Sequence, residues 1–362
     1  MKKSPLEELR KEIRQKDQEI VTLLNERAKL SLEVGAVKIE NGREVYDPSR
    51  ESLIFQFLSQ INPGPLSDKA VQDIFREIIS SSRALQGPVT VAYFGPEASF
   101  THLAALAHFG KMSQFFPQKN IAQVFEQVER ERCAYGVVPI ENSGEGAVKQ
   151  TLDRLIATPL SIRAEVFLRI SHYLISSNDN LEKIKRVYSH PQAIAQCQGW
   201  LEKNLPQCSL SKVENTAQAA QKVLEDLEGA AIGSQEAAQL YGLKILADRI
   251  EDYPLNTTRF LVMGRGQSEA TGRDKTSILF GTPHTPGALF HALEPFNNKE
   301  LNLLKIESYP LPDRIWEYLF FVDFSGHRED EKVRQCLKDL ETVTTFIKVL
   351  GSYPWGERLG RK

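Results

Sequence analysis

The chain of 362 residues has room for two or three domains with cores of their own, at roughly 150 residues each, and is too long for one small module. With 45 Lys and Arg against 47 Asp and Glu, a formal charge of -2, and 41% apolar residues, its composition is ordinary for a globular protein and gives no basis for non-specific nucleic-acid binding. No apolar run reaches the ~18 residues of a membrane span, Met1-Lys2-Lys3-Ser4-Pro5 leads into charge, and Cys133, Cys197, Cys208 and Cys336 form no Cys-x-x-Cys pair, so a cytoplasmic protein with reduced thiols and no membrane partner is expected.

From residue 6 to 86 the pattern is helical, interrupted at Asn41-Gly42 and Asn62-Pro63-Gly64-Pro65, and predicts three helices. Ser4 as N-cap, Pro5 at the first helical position and Glu7 three residues after the cap start the first helix, which runs to about residue 39. At ~1.5 Å per residue it is roughly 50 Å long, more than two shorter helices cover, so an intertwined dimer is expected. Gly87-Pro88 closes this segment. Short β-branched runs then alternate with amphipathic helices at 89–94, 101–109, 121–130, 135–140, 148–156, 186–189, 192–201, 209–213, 216–227, 230–232, 235–241 and 259–263. This α/β rhythm suits two lobes. After a polar linker at 264–273 come a strand, a helix, two strands, a helix and a strand, at about 275–282, 287–296, 301–309, 315–325, 328–341 and 344–351. The order matches a ferredoxin-like unit, with a loose tail after Trp355.

In the first helix Arg27 falls inside the apolar stripe of Ile20, Leu23, Leu24, Leu30 or Ser31, and Val34, where an unpaired guanidinium is costly and needs an anion. Lys38, eleven residues on, returns to within ~20° of the same face, whereas Arg10 is rotated roughly 100° away and would serve a partner chain's pocket. Asp47 caps the second helix, Arg50 and Glu51 lie in its first turn, and Ser82 and Gln86 sit one turn apart at the end of the third. Taken singly, each of these reads first as a solvated charge or a cap; together they point to one site.

Leu9-Arg10-Lys11-Glu12-Ile13, Leu24-Asn25-Glu26-Arg27, Glu33-Val34-Gly35-Ala36-Val37-Lys38 and Tyr46-Asp47-Pro48-Ser49-Arg50-Glu51 resemble the all-helical chorismate mutase family. The resemblance implies that Arg10 of one chain and Arg27 of the other clamp the carboxylates of chorismate, with Arg50 nearby and Asp47 and Ser82 completing the pocket. It further implies that Lys38 and Gln86 donate to the breaking ether oxygen and that Glu51 holds the ring hydroxyl. A pericyclic rearrangement needs a compact conformer and donors where charge grows, and neither cofactor nor metal.

In the middle segment Gly95-Pro96-Glu97-Ala98-Ser99-Phe100-Thr101-His102, Glu141-Asn142-Ser143-Gly144-Glu145-Gly146, Ser189-His190-Pro191-Gln192 and Gly233-Ser234-Gln235 are strand ends leading into helix starts. Converging on an interlobe cleft they would bind a small dicarboxylate; one by one they are helix caps. Asn256-Thr257-Thr258-Arg259-Phe260 adds a hydroxyl beside a cation. With Ala92-Tyr93-Phe94-Gly95-Pro96, Gly136-Val137-Val138-Pro139-Ile140 before Glu141, and Ala193 after Gln192, this set resembles prephenate dehydratase, the consumer of what a chorismate mutase makes. The resemblance implies loss of CO2 and water to give phenylpyruvate. Thr258 would meet the departing hydroxyl and Arg259 neutralise a carboxylate. Asn142, Ser143, Ser189 and Gln192 would orient the substrate, Ser99, Thr101, Glu141, His190 and Phe260 would be further contacts, and His102 and His190 are candidate relays. Ala98-Ser99-Phe100-Thr101 stands where that family usually has Gly-Thr-Phe-Ser, and Gly144 where Thr is frequent.

The last segment, with Gly287-Ala288-Leu289-Phe290 at a helix start and Glu307-Ser308-Tyr309-Pro310 after a strand, resembles the ACT regulatory domain attached to prephenate dehydratases. That implies L-phenylalanine as effector, bound between paired subunits by Gly287, Ala288, Leu289, Phe290, Glu307 and Ser308. Leu289 also has ordinary core spacing with Leu293 and Phe296. Tyr309 replaces the usual Arg of Glu-Ser-Arg-Pro, which predicts altered effector affinity or coupling.

The expected architecture is therefore an all-α mutase domain at 1–87, intertwined in a dimer, a two-lobed α/β dehydratase of periplasmic-binding-protein type at 88–266, and an α+β ACT domain at 274–354. The expected function is conversion of chorismate to prephenate and then to phenylpyruvate in phenylalanine biosynthesis, by a homodimer or higher homo-oligomer without cofactor or metal. The alternatives are a mutase fused to an arogenate dehydratase and a non-catalytic amino-acid sensor.

Overall fold

The structure is a computed structural model that describes residues 4–42, 44–144, 146–253, 255–310, 318–356 and 358–359. Glu145 of the expected cleft loop, 315–317 of the expected strand 315–325 and the end of the tail lie outside the described residues. The chain divides into two compact units, Met1–Val89 with Phe109–Gln114, and Thr90–His108 with Phe115–Lys362. Among the described residues no helix is long and apolar enough to cross a membrane.

In the first unit α1 (Pro5–Glu40), α2 (Pro48–Ile61) and α3 (Asp68–Gln86) are the three expected helices. Proline opens α1, but the Ser4 hydroxyl makes no capping bond; its backbone carbonyl takes the Glu7 and Glu8 N–H groups instead. Asp47 and Ser67 do cap, accepting from the Arg50 and Ala70 N–H groups. Of α1 only Gly35 is buried among the described residues, while Ile20, Leu23, Leu30 and Val34 of the predicted stripe are exposed. The two shorter helices leave most of α1 uncovered, as its length requires.

The second unit begins with β1 (Thr90–Phe94), α4 (Phe100–Phe109), β2 (Gln114–Gln118), α5 (Ile121–Glu129), β3 (Tyr135–Asn142), β4 (Gly146–Ala147), α6 (Lys149–Ala157) and β5 (Ser161–Arg169). A second lobe follows: β6 (Tyr173–Ser176), β7 (Arg186–Ser189), α7 (Pro191–Gln196), α8 (Gln198–Asn204), β8 (Ser209–Lys212), α9 (Thr216–Val223), β9 (Gly229–Gly233), α10 (Gln235–Tyr241) and β10 (Lys244–Ala247). β11 (Thr257–Gly264) then returns to the first lobe. The first sheet runs β5-β11-β3-β1-β2 with β4 on β3, and the second β10-β6-β9-β7-β8. Two crossing strands join the lobes, tied by Ile170 N–H to the Asn256 carbonyl and Ile250 N–H to the His172 carbonyl, both at 2.9 Å.

β12 (Asp274–Gly281), α11 (Ala288–Asn298), β13 (Leu303–Pro310), β14 (Tyr318–Ser325), α12 (Glu331–Val343) and β15 (Phe346–Pro354) form the expected ferredoxin-like order, in a sheet β13-β14-β12-β15. Alternation along β14 sends Phe320, Val322 and Phe324 into a core with α11 and α12, and Phe321 the other way. With Leu279, Leu350 and Tyr353 it joins Ile140, Leu152, Leu155 and Leu261 of the first lobe in one continuous core.

Three local expectations are corrected. The single helix expected at 192–201 breaks at Cys197, and that expected at 216–227 ends at Val223. The tail after Trp355 is not loose at its described residues: the Gly356 N–H donates to Glu165, and β16 (Arg358–Leu359) runs parallel to β5.

Candidate functional site

In the helical unit, Arg27, Ser31 and Lys38 on α1 share a face that meets Ser82 and Gln86 of α3. Arg27 Nη1 donates to Ser82 Oγ at 3.0 Å, and Gln86 Nε2 to Ser31 Oγ at 2.8 Å. Gln86 lies across Gly35, where a Cβ would stand 2.7 Å from its side chain; a helix-weakening glycine is kept here so that the amide can reach its place. Lys38 Nζ donates to the Val45 carbonyl at 3.1 Å, 4.0 Å from Asp47 Oδ2. Burial lowers the pKa of Arg27.

Glu51 is part of the cluster, but its Oε1 already pairs with Arg83 Nη1 at 2.7 Å, so it reaches a ligand only through its other oxygen. Burial raises the Glu51 pKa against the opposing Arg83 charge. Arg83, absent from the sequence reading, is buried, lies over the Tyr46 ring and donates to the Phe109 carbonyl. Its signal was available: it falls on the buried face of α3 with Ile79 and Ser82, the same argument that singles out Arg27. Arg10 and Arg50 are exposed. On a continuous helix Arg10 stands about 25 Å from Arg27 at ~1.5 Å per residue, so one chain does not bring the two together.

In the second unit the site lies where β3 and β11 end side by side, with Asn142 and Thr258 in register. Asn142 Oδ1 accepts from the Gly144 N–H at 2.9 Å, which fixes its amide. Asn142 Nδ2 therefore donates to Asn256 Oδ1 and Thr258 Oγ1, both at 2.8 Å. Asn256 Nδ2 in turn donates to Gln196 Oε1 at 3.0 Å, and His172 Nε2 lies 2.8 Å from that oxygen and must be the protonated ring nitrogen. The relay starts at a backbone N–H and ends in the hinge between the lobes, where Glu251 Oε2 accepts from the His172 N–H at 2.9 Å. Its consequence is local: Thr258 Oγ1 is an acceptor from Asn142, so its own proton is free to be donated. Burial lowers the His172 pKa, with Gln196 and Glu251 opposing, and burial likewise lowers that of His102.

The other predicted residues of this unit make mostly local contacts. Ser143 Oγ accepts from the Thr257 N–H, Ser99 Oγ caps α4 through the His102 N–H, and Thr101 is buried. His102 Nδ1 accepts from the Ala98 N–H and its ring stacks on Tyr93, a structural role. His190 caps α7 through the Gln192 N–H and borders a cavity of about 480 Å³ that also holds Lys212, Glu214 and Lys222. Gln192 is the predicted residue on α7, whereas Gln196, one turn further along, and His172 carry no sequence signal, and Asn256 is marked only by its motif.

Four assignments are corrected. Arg259 is 4% exposed and turned away from Thr258: Nε pairs with Glu165 at 2.7 Å, Nη1 with Asp323 at 2.5 Å, and Nη2 donates to the Tyr353 hydroxyl at 3.0 Å. Each of its three nitrogens already has a partner and the group is buried on the face away from Thr258, so it is not presented to a substrate there. Glu141 faces the same way and pairs with Lys305 at 2.8 Å. Both errors have one cause, since neighbours on a strand point to opposite faces and a tripeptide cannot deliver adjacent side chains to one pocket. Ser189 is fully buried, donating to the Ile232 carbonyl, and Phe260 is sealed in the core at 1% exposure.

In the C-terminal domain Gly287, at φ +82°, precedes α11, and Phe290 is exposed, but Leu289 packs into the domain's own core. Glu307 and Ser308 lie on the edge strand β13, with Lys305 Nζ 3.7 Å from Glu307. Tyr309 turns to the dehydratase side, where its hydroxyl donates to Asp153 on α6 and Lys149 lies over its ring; burial, then Asp153, pushes its pKa up to about 12. The replacement of the usual arginine therefore acts at a domain contact.

Family models match along the chain: chorismate mutase type II over residues 9–87, prephenate dehydratase over 91–268 and the ACT domain, a module that implies amino-acid effector binding, over 276–342. A bifunctional chorismate mutase/prephenate dehydratase of Aquifex aeolicus (strain VF5) is 46% identical over 353 residues, covering 96% of this chain and 98% of that one. The solved structure of prephenate dehydratase in complex with L-Phe from Arthrobacter aurescens aligns with a TM-score of 0.69 and 33% identity over 76% of this chain and 92% of its own. GqqA, named as a novel type of quorum quenching acylase, aligns with a TM-score of 0.67 and 29% identity over 73% of this chain and 97% of its own. One scaffold thus carries differently named activities, and residues rather than fold select the reaction.

Proposed function

The chain belongs to the family of bifunctional chorismate mutases/prephenate dehydratases, and from that premise we propose which of its residues carry each step. It rearranges chorismate to prephenate and dehydrates prephenate with loss of CO2 to phenylpyruvate. Relatives of that name favour this activity over the arogenate and sensor alternatives.

For the rearrangement, Lys38 and Gln86 donate to the ether oxygen as its bond to the ring breaks and the new carbon–carbon bond forms, while Arg27 and Ser82 hold a carboxylate, with Asp47 and Glu51 at the rim. The second clamp is Arg10 of another copy, which also covers the apolar residues that α1 leaves exposed. The working form is then at least a homodimer.

For the dehydration, the ring carboxylate leaves as CO2 and its bonding electrons enter the ring. The ring hydroxyl departs with the C–O electrons, takes a proton delivered through Thr258 Oγ1 and leaves as water. The observation that carries this is the Asn142 bond into Thr258 Oγ1, which turns the threonine proton outward. Asn142, Asn256 and Gln196 set its direction, and Ser99, Thr101, Ser143, His190 and Gln192 border the substrate. L-Phenylalanine is the effector, held by Gly287, Ala288, Phe290, Glu307 and Ser308. The free thiols of Cys133, Cys197, Cys208 and Cys336 suit a cytoplasmic site.

The test is to give chorismate to the purified chain and follow prephenate and then phenylpyruvate, with and without phenylalanine. Prephenate accumulating without phenylpyruvate refutes the second step, and a chain monomeric at working concentration yet fully active refutes the shared pocket.

A further inference from the structure

Arg259, freed from the substrate role, belongs to a cluster of four buried charges. Arg259 and Lys275 face Glu165 and Asp323, with side-chain exposures of 5%, 8%, 1% and 1%. Two cations and two anions cancel, and every member has a partner. Glu165 takes Arg259 Nε at 2.7 Å and Lys275 Nζ at 2.8 Å, and accepts the Gly356 N–H at 2.9 Å. Asp323 takes Arg259 Nη1 on one oxygen and the Ser277 hydroxyl on the other. The Tyr353 hydroxyl joins Ser277 at 2.5 Å and Arg259 at 3.0 Å.

The cluster crosses a domain boundary. Glu165 and Arg259 belong to dehydratase strands β5 and β11, while Lys275, Ser277, Asp323 and Tyr353 come from three strands of the ACT sheet. Arg259 immediately follows Thr258, whose side chain points to the opposite face, into the amide relay. A displacement of the guanidinium therefore moves the backbone that carries the threonine hydroxyl. A hydrophobic contact tolerates sliding, whereas a buried, fully paired guanidinium has few alternative positions.

We propose that Asp323, supplied by the ACT domain, is a positioning residue for the dehydration, holding Arg259 and through it the strand that aims Thr258 at the leaving hydroxyl. The proposal rests on the assignment of Thr258. It gives the effector domain a direct mechanical hold on the dehydration.

The test uses the full chain and measures both activities. Asp323→Asn keeps the shape and removes one charge; it is expected to lower kcat for prephenate roughly tenfold to a hundredfold, the penalty of misplacing a catalytic group by about 1 Å, with KM for prephenate and mutase turnover unchanged. Arg259→Lys should do the same, and a rise in KM with kcat kept would make Arg259 a substrate ligand and overturn the proposal. The double variant Arg259→Gln with Asp323→Asn restores neutrality, so it should recover thermal stability but not kcat. Recovery of both together would mean that the cluster only stabilises the fold. Ser277→Ala leaves all charges in place and serves where the charge variants do not fold; it should lower kcat with KM unchanged, and unaltered kcat counts against the proposal. Thr258→Ala run alongside separates the two readings: if it keeps full dehydratase activity the Thr258 assignment fails, and if it is inactive while Asp323→Asn is normal, only the present proposal fails.

Discussion

Around the candidate pocket of the helical unit four charged side chains, Arg27, Lys38, Asp47 and Glu51, stand beside the neutral Ser82 and Gln86, whereas along the cleft of the second unit Thr258, Asn142, Asn256 and Gln196 are all neutral. A cation acts through its field, which falls off slowly with distance, but a neutral donor acts only when its proton is aimed. The first arrangement suits a reaction whose whole demand is stabilisation of growing negative charge. The second suits one in which a single proton must meet a single oxygen. Small displacements should therefore cost the dehydration more than the rearrangement.

The sharpest way to break this contrast is Thr258→Ala, expected to lower phenylpyruvate formation by ~10²–10⁴-fold with prephenate formation intact, measured on both substrates in one preparation. Equal loss of both would mean that the sites are not separate. Lys38→Ala is the mirror image, expected to cut mutase turnover ~10²–10³-fold and leave dehydration alone. Gly35→Ala sharpens the comparison by probing Gln86 alone: the up to ~1 kcal/mol by which alanine favours a helix is offset by the displaced amide and its lost bond to Ser31, so melting temperature should change little while mutase turnover falls several-fold. Unchanged mutase turnover in this variant would remove Gln86 from the pocket.

A smaller effect comes from the hinge. His172 and His102 have pKa values below their ordinary 6.5 because burial disfavours the imidazolium. The unfolded chain thus takes up protons first, and the stability these rings confer, fully present above 6.5, should be lost as pH falls below it. His172→Asn should flatten the melting temperature against pH in that range; an unchanged slope would place the effect elsewhere. Smallest is Tyr309→Phe, which removes one hydroxyl contact to an exposed carboxylate and should cost ~0.5–1.5 kcal/mol in denaturant unfolding.

Sequence alone made the helical unit and the ferredoxin-like order legible, because long amphipathic periods and a regular strand–helix alternation survive without tertiary context. β5 was not legible. Its run is broken by Arg163 and Glu165, which read as surface charges and are in fact 5% and 4% exposed. Their partners lie about a hundred residues away in Ser268 and Arg259, so the information that makes this a strand is not local. The same blindness produced the Arg259 and Glu141 errors. Motif spelling shows that residues matter together, not to which face each points, while Gln196 and His172 were invisible because only folding brings them to Asn256.

The shared core between the ACT sheet and the dehydratase lobe constrains any attempt to separate catalysis from the effector domain by truncation. Cutting the chain before Asp274 would strip Leu152, Leu155 and Leu261 of their apolar cover and strand Glu165 and Arg259 without Lys275 and Asp323. Such a truncation should yield aggregated material rather than an unregulated catalyst. On the effector site proposed above, desensitising substitutions belong on the outward edge of β13 and at the start of α11, leaving the inward face untouched.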